Sequence, residues 1–239
     1  MNGPATPEQP LFTSRMSRGE IIAVLLYLPL HIWLLPMLLL SLPETASLSE
    51  IQLNVAVYTI GTLWMLLFAG RFLRRDFDPL CDHPFYCLLQ VLTGYGIVLA
   101  FNMLLSALLM MVQPELSNPN NAAWNDLVIS DFGKTAATAV FLAPLTEEPI
   151  FRGAVFALLY PRSRRLAYLT SILLFSLYHV WGYALNEPAN WLYLLQYLPA
   201  SWMLCRCYER CDSIWGSIFL HMTINGISVL SISALQGAM

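Results

Sequence analysis

The stretch FLAPLTEEPIFRGAVFALLY, residues 141–160, decides how this chain is read. Apart from Glu147, Glu148 and Arg152 it is a run of apolar side chains of the length that crosses a bilayer, about 20 residues. An ionisable group in mid-membrane costs roughly 2.5–3.5 kcal/mol on insertion scales, so it faces a polar cavity or a partner. The other acidic residues of the chain fall in loops, at termini or at the edges of apolar runs.

The rest of the chain is equally apolar. It is 57% hydrophobic and 11% charged, whereas a soluble domain carries about 25% charged residues. The apolar runs Ile21–Leu42, Ile51–Gly70, Pro84–Val112, Phe132–Tyr160, Leu166–Leu185, Trp191–Cys205 and Ser213–Leu235 predict seven spans. The expected fold is therefore an all-α polytopic transmembrane bundle. Residues 1–20 are expected to be a flexible cytoplasmic N-terminus and residues 21–239 a single membrane domain. The first run is too long for a signal-peptide core and no small-x-small cleavage site follows it, so it should remain as a helix.

Arginines orient the set. Arg15 and Arg18, Arg71 to Arg75, Arg162 to Arg165, and Arg206 and Arg210 mark alternate span ends, while the loops 43–50, 113–131 and 186–190 carry no Lys or Arg. The positive-inside rule then gives a cytoplasmic N-terminus. The compact size and short loops suggest a bacterial cytoplasmic membrane. The net charge of −3 says little about partners, and no feature points to nucleic acid. The oligomeric state is not legible.

Three spans carry the polar groups: Glu147, Glu148 and Arg152 in the fourth, His179 in the fifth, and His221 and Asn225 in the seventh. At about 1.5 Å per residue, Glu147, His179, His221 and Asn225 can meet in one layer. Glu148 and Arg152, four apart, share a helix face and can pair. Glu147 points about 100° away, free to face a cavity. Pro144 and Pro149 suggest a broken helix just before the glutamates, which is tolerated where it lines a cavity. Amide hydrolysis suits the set. A carboxylate can act as general base with a histidine orienting the water, and a second histidine and an asparagine can donate to an oxyanion. Alternatively, Glu147, His179 and His221 could hold zinc with an open water position, although H-E-x-x-H is absent. The blander readings are a structural Glu148–Arg152 pair, packing roles for the tyrosines, and a simple packing role for His31, which has no motif around it. Cys205, Cys207 and Cys211 are read as reduced thiols rather than a metal knuckle. Leu42-Pro43-Glu44-Thr45-Ala46 matches a cell-wall sorting signal, but it lies between two spans and is read as chance.

The same residues carry a family resemblance. Glu147-Glu148-Pro149-Ile150-Phe151-Arg152 resembles the EExxxR motif of the CAAX prenyl endopeptidase and bacteriocin-processing (CPBP, or Abi) family. Phe175 to His179 resembles its FxxxH motif, and His221 to Asn225 its HxxxN motif. The matching core runs from about 132 to 235. The resemblance implies an intramembrane endopeptidase in which Glu147 activates water with His179, His221 and Asn225 form the oxyanion hole, and Glu148 and Arg152 support the site. It implies no resident cofactor in the metal-free mechanism, with zinc as the alternative. The expected partner is a membrane-associated protein or peptide in the lipid bilayer: a CaaX-like tail, a bacteriocin leader or a sorting-signal segment. The competing readings are a non-catalytic immunity or regulatory scaffold that keeps the fold, and a proton-coupled transporter.

Overall fold

A computed structural model describes residues 12–45, 47–112, 114 and 118–237. Among these residues all regular structure is helical. We number the helices α1 (Arg18–Ser41), α2 (Glu50–Arg75), α3 (Pro84–Val112), α4 (Pro119–Ser130), α5 (residues 132–159), α6 (Arg164–Asn186), α7 (Leu194–Cys211) and α8 (Ile214–Gly237). Short polar caps start them. Ser17 and Ser49 form capping boxes with Glu20 and Gln52. Asn118, Asp131 and Ser163 accept from free N–H groups at the heads of α4, α5 and α6, which lack intrahelical partners.

Among the described residues five helices are long and apolar enough to cross a membrane: α1, α2 with its extension to Asp82, α3, α6 and α8. The other two expected spans are helical but different in kind. The 18 residues of α7 include Arg206, Glu209 and Arg210, and the helix packs among α3, α6 and α8. It begins three residues later than expected, because Pro188–Tyr193 forms a 3-10 turn first. In α5 the polar centre is wrapped in protein, with residues 146–154 all buried. Lipid-facing apolarity sits instead on helices such as α3, whose Phe85, Met110 and Met111 are exposed.

Two further expectations change. The fourth span is not broken. It stays helical from 132 to 159 by alternating α-helical with π-helical turns, π at Ala137–Leu142 and Pro149–Phe156 and α at Ala143–Glu148. A proline inside an α-helix lacks one N–H and crowds the carbonyl four residues back. A wider turn beside each proline absorbs the mismatch without opening the helix. The expected flexible N-terminus is also packed from Phe12 onward. Phe12 and Met16 are buried, and the Thr13 and Ser14 N–H groups donate to Asp212 at 2.7 and 2.8 Å. Residues 1–11 and Ala46 of the sorting-like motif lie outside the described residues.

The arginine-bearing ends share one side of the bundle. There Arg75 donates to the Arg15 carbonyl, Asp76 accepts from the Ile214 N–H, and Arg164 pairs with Glu209. At the other side Asn118 donates to Gln196 at 2.7 Å and Asn120 to Tyr197 at 2.9 Å. Asn118 heads α4, a helix where the Asn- and Pro-rich segment 113–131 predicted only a loop.

Candidate active site

Glu147 is 3% exposed, and its two oxygens face different surroundings. Oε1 accepts from the Tyr58 hydroxyl of α2 at 2.9 Å. Oε2 has no hydrogen-bond partner among the described residues. It lies 3.9 Å from His179 Nε2 of α6 and 4.0 Å from His221 Nε2 of α8. Three side chains from three helices thus converge on one point.

The ring protons follow from the opposite nitrogens. His179 Nδ1 lies 2.9 Å from the Phe175 carbonyl, which only accepts, so Nδ1 carries the proton and Nε2 presents a lone pair. Glu147 Oε2 is also an acceptor. Two acceptors 3.9 Å apart are satisfied together by a group with two O–H donors, such as a water molecule. An oxygen about 2.8 Å from both would subtend about 90° between them, within ordinary hydrogen-bond geometry. His221 Nδ1 lies 2.8 Å from Glu148 Oε1. That carboxylate also accepts from Arg152 at 3.0 Å, with both side chains fully buried. His221 Nδ1 therefore donates, and its Nε2 donates as well only when the ring carries both protons.

Supporting groups fix these orientations. The Arg152 guanidinium donates to the Ser201 hydroxyl at 2.8 Å and the Ser201 carbonyl at 3.2 Å. It lies 4.2 Å from the centre of the Phe175 ring, a cation–π contact. The same ring packs on His179 and His221 at 4.5 and 5.7 Å. Phe175 thus touches three members of the site and supplies the carbonyl that sets the His179 tautomer. On its other side His179 stacks on Tyr197 at 4.8 Å.

Asn225 lines the same cavity, but one of its N–H groups donates to the Ala139 carbonyl at 2.8 Å, in the first π turn of α5. Its second N–H remains for a ligand. His179 and His221 are therefore each brought within 4.0 Å of Glu147, Glu148 and Arg152 form the pair behind them, and Asn225 lines the same cavity.

Tyr58, Tyr178 and Ser201 belong to the site although the sequence assigned them no role there. Tyrosines along a span are usually packing or interfacial. The signal available was the position of Tyr178 next to the motif histidine. His31, read as packing, is tied to Tyr178 at 2.7 Å.

The separations in the donor set are wider than those of a tetrahedral zinc site. Donors at about 2.0–2.2 Å from a tetrahedral zinc lie about 3.3–3.6 Å from one another. Here the separations are 3.9 and 4.0 Å, and no group of three His, Cys, Asp or Glu among the described residues is arranged to hold a metal. The three clustered cysteines are buried free thiols, and Cys205 donates to Ser171 instead.

The cavity in front of Glu147 has a volume of about 960 Å³. It reaches from the site to the exposed Glu50 and Asn121, at the side of the bundle away from the arginines. Amide side chains line it, including Asn54, Asn102, Asn118, Asn125 and Gln196, and no Lys or Arg among the described residues does. Asn102 Oδ1 is buried there without a hydrogen-bond partner among the described residues.

Residues 132–227 match the family model described as type II CAAX prenyl endopeptidase Rce1-like. No curated protein and no solved structure matches the chain.

Proposed function

We propose that the chain, whose residues 132–227 match the type II CAAX prenyl endopeptidase Rce1-like family, is an intramembrane protease of that kind and hydrolyses a peptide bond with a water activated by Glu147. The observation that carries this reading is Glu147 Oε2, which has no hydrogen-bond partner among the described residues and lies 3.9 and 4.0 Å from two imidazole Nε2 atoms. Glu147 Oε2 and His179 Nε2 accept the two protons of the water. As the water oxygen bonds to the scissile carbonyl carbon, one proton passes to Glu147 Oε2. The carbonyl electrons move onto oxygen, where doubly protonated His221 Nε2–H and the second N–H of Asn225 donate to the developing charge. The C–N bond then breaks and Glu147 returns the proton to the departing amine. Glu148 and Arg152 act behind this set, with Glu148 orienting His221 and Arg152 neutralising Glu148.

The cavity suits an extended polypeptide. Side-chain amides offer both donors and acceptors, as a peptide backbone requires. Its volume lies at the upper end of the roughly 300–1,000 Å³ range of ligand pockets. With no Lys or Arg in its described lining, the cavity away from the catalytic His221 holds no cation to neutralise a free C-terminal carboxylate. That favours cleavage inside a leader or sorting-signal segment over removal of the last three residues of a chain.

The experiment is a panel of lipid-anchored, quenched-fluorescent peptides offered to the purified protein in nanodiscs, each in free-acid and amidated form, with products mapped by mass spectrometry. The expected result is cleavage of an internal bond at similar rates in both forms. Strict dependence on the free acid would contradict the substrate reading. No cleavage of any peptide would favour the non-catalytic scaffold.

A further inference from the structure

The oxygen of Glu147 that faces away from the histidines ends a chain of hydrogen bonds into the N-terminal half of the molecule. Tyr58 Oη donates to Glu147 Oε1 at 2.9 Å. Tyr58 Oη and Tyr178 Oη are 3.1 Å apart, and Tyr178 Oη and His31 Nε2 are 2.7 Å apart. Beyond His31, Nδ1 lies 3.5 Å from Tyr27 Oη, whose own proton goes to the Val57 carbonyl at 3.1 Å. His31 is buried at mid-span in α1 and Tyr58 in α2, outside the segment that matches the family.

Counting protons gives the chain a direction. From Glu147 to the Val57 carbonyl there are five links. Tyr58, Tyr178, Tyr27 and a neutral His31 hold one proton each, so beside an ionised Glu147 one link has none. The 3.5 Å contact between Tyr27 and His31 is the longest, beyond the usual hydrogen-bond range, and it is the one left without a proton. His31 then carries its proton on Nε2. The three donors between His31 and Glu147 point the same way: His31 Nε2–H to Tyr178, Tyr178 O–H to Tyr58, and Tyr58 O–H to Glu147 Oε1. Donors aligned in series polarise one another, so the last is strengthened by those before it.

We infer that His31, Tyr178 and Tyr58 form a relay of positioning residues that fixes the Glu147 carboxylate through Oε1, so that Oε2 is presented to His179 and His221. This deepens the hydrolytic reading and rests on it. It also gives the first two helices a place in the chemistry. The side chain of a glutamate turns about several bonds, and among the described residues its one hydrogen bond is to the Tyr58 hydroxyl at 2.9 Å. That hydroxyl is in turn held by groups on α6 and α1.

Two readouts test the relay, one of them independent of activity. In infrared difference spectra, subtraction of Glu147→Gln from wild type isolates the Glu147 carboxyl band. Tyr58→Phe and His31→Leu should shift this band in the same direction, and His31→Gln, whose amide can still donate to Tyr178, should largely restore it. In kinetics, loss of a hydrogen bond to a charged group predicts a fall of about tenfold or more in kcat for Tyr58→Phe, with KM changed less than about twofold. His31→Leu should lower kcat in the wild-type background, and should add little once Tyr58 is Phe, because the link to Glu147 is already cut. A carboxyl band indifferent to His31→Leu, or a His31→Leu loss that persists in full beside Tyr58→Phe, would overturn the relay. Cleavage that survives Glu147→Gln would instead overturn the hydrolytic reading, and the infrared result would still decide the relay.

Discussion

Arg152 is the largest fully buried side chain among the described residues, and it is also charged. Its partners are Glu148, Ser201 and the face of Phe175. Removing one member of a buried pair strands the other, at a cost of about 3–5 kcal/mol. Arg152→Met should therefore lower stability by about that amount in a denaturant titration. Glu148→Gln added to it should recover part of the loss by removing the stranded charge. The i,i+4 spacing made this pair legible in the sequence. That Glu148 also holds His221 Nδ1 was not legible, because the two residues lie 73 apart in the chain. The same limit hid Tyr58, whose hydroxyl gains meaning only from Glu147, 89 residues away. His31 was visible as a buried ionisable group, but nothing in its own neighbourhood showed that a tyrosine on α6 would meet it.

Helices α2 and α5 approach closely where the site needs them to. A Cβ placed on Gly61 would stand 2.7 Å from Thr146 Cγ2 and 2.7 Å from Tyr27 Oη. Thr146 directly precedes Glu147, and Tyr58 lies one helical turn before Gly61. Gly61→Ala should thus push α2 off α5, costing about 1–3 kcal/mol as overpacking, and lengthen the Tyr58–Glu147 contact. The expected outcome is a lower midpoint of unfolding together with a kcat loss larger than the small stability change explains. Measuring kcat well below the midpoint separates the two effects. At this scale the sequence pointed correctly to the helical character of the fourth span and wrongly to a break in it. Pro144 and Pro149, one turn and a half apart, signal a disturbed hydrogen-bond ladder. Whether that ladder opens or widens depends on the packing around it, and here residues 146–154 are buried on every side.

Across the described residues, the arginines at the helix ends gather at one side and the cavity reaches the other. The alternating loop charges alone made this sidedness legible. The amide lining was not, since asparagines in a loop segment such as 118–125 read only as turn formers. If the arginine side is cytoplasmic, as the positive-inside rule requires, the cavity is supplied from the opposite face. A membrane-impermeant maleimide applied to intact cells should then label Asn121→Cys, which is exposed beside the cavity, and spare native Cys81, which is exposed in the connection between α2 and α3 near the arginine side. The reverse pattern would invert the protein in the membrane and return a cytoplasmic tail to consideration. The chemistry itself stands on Glu147. Its most direct test is the cleavage rate of Glu147→Gln against wild type on one lipid-anchored peptide, with both proteins unfolding at the same midpoint. The account predicts a loss of at least about 10²–10⁴-fold, the span of general-base catalysis. A variant within a few fold of wild type would contradict it.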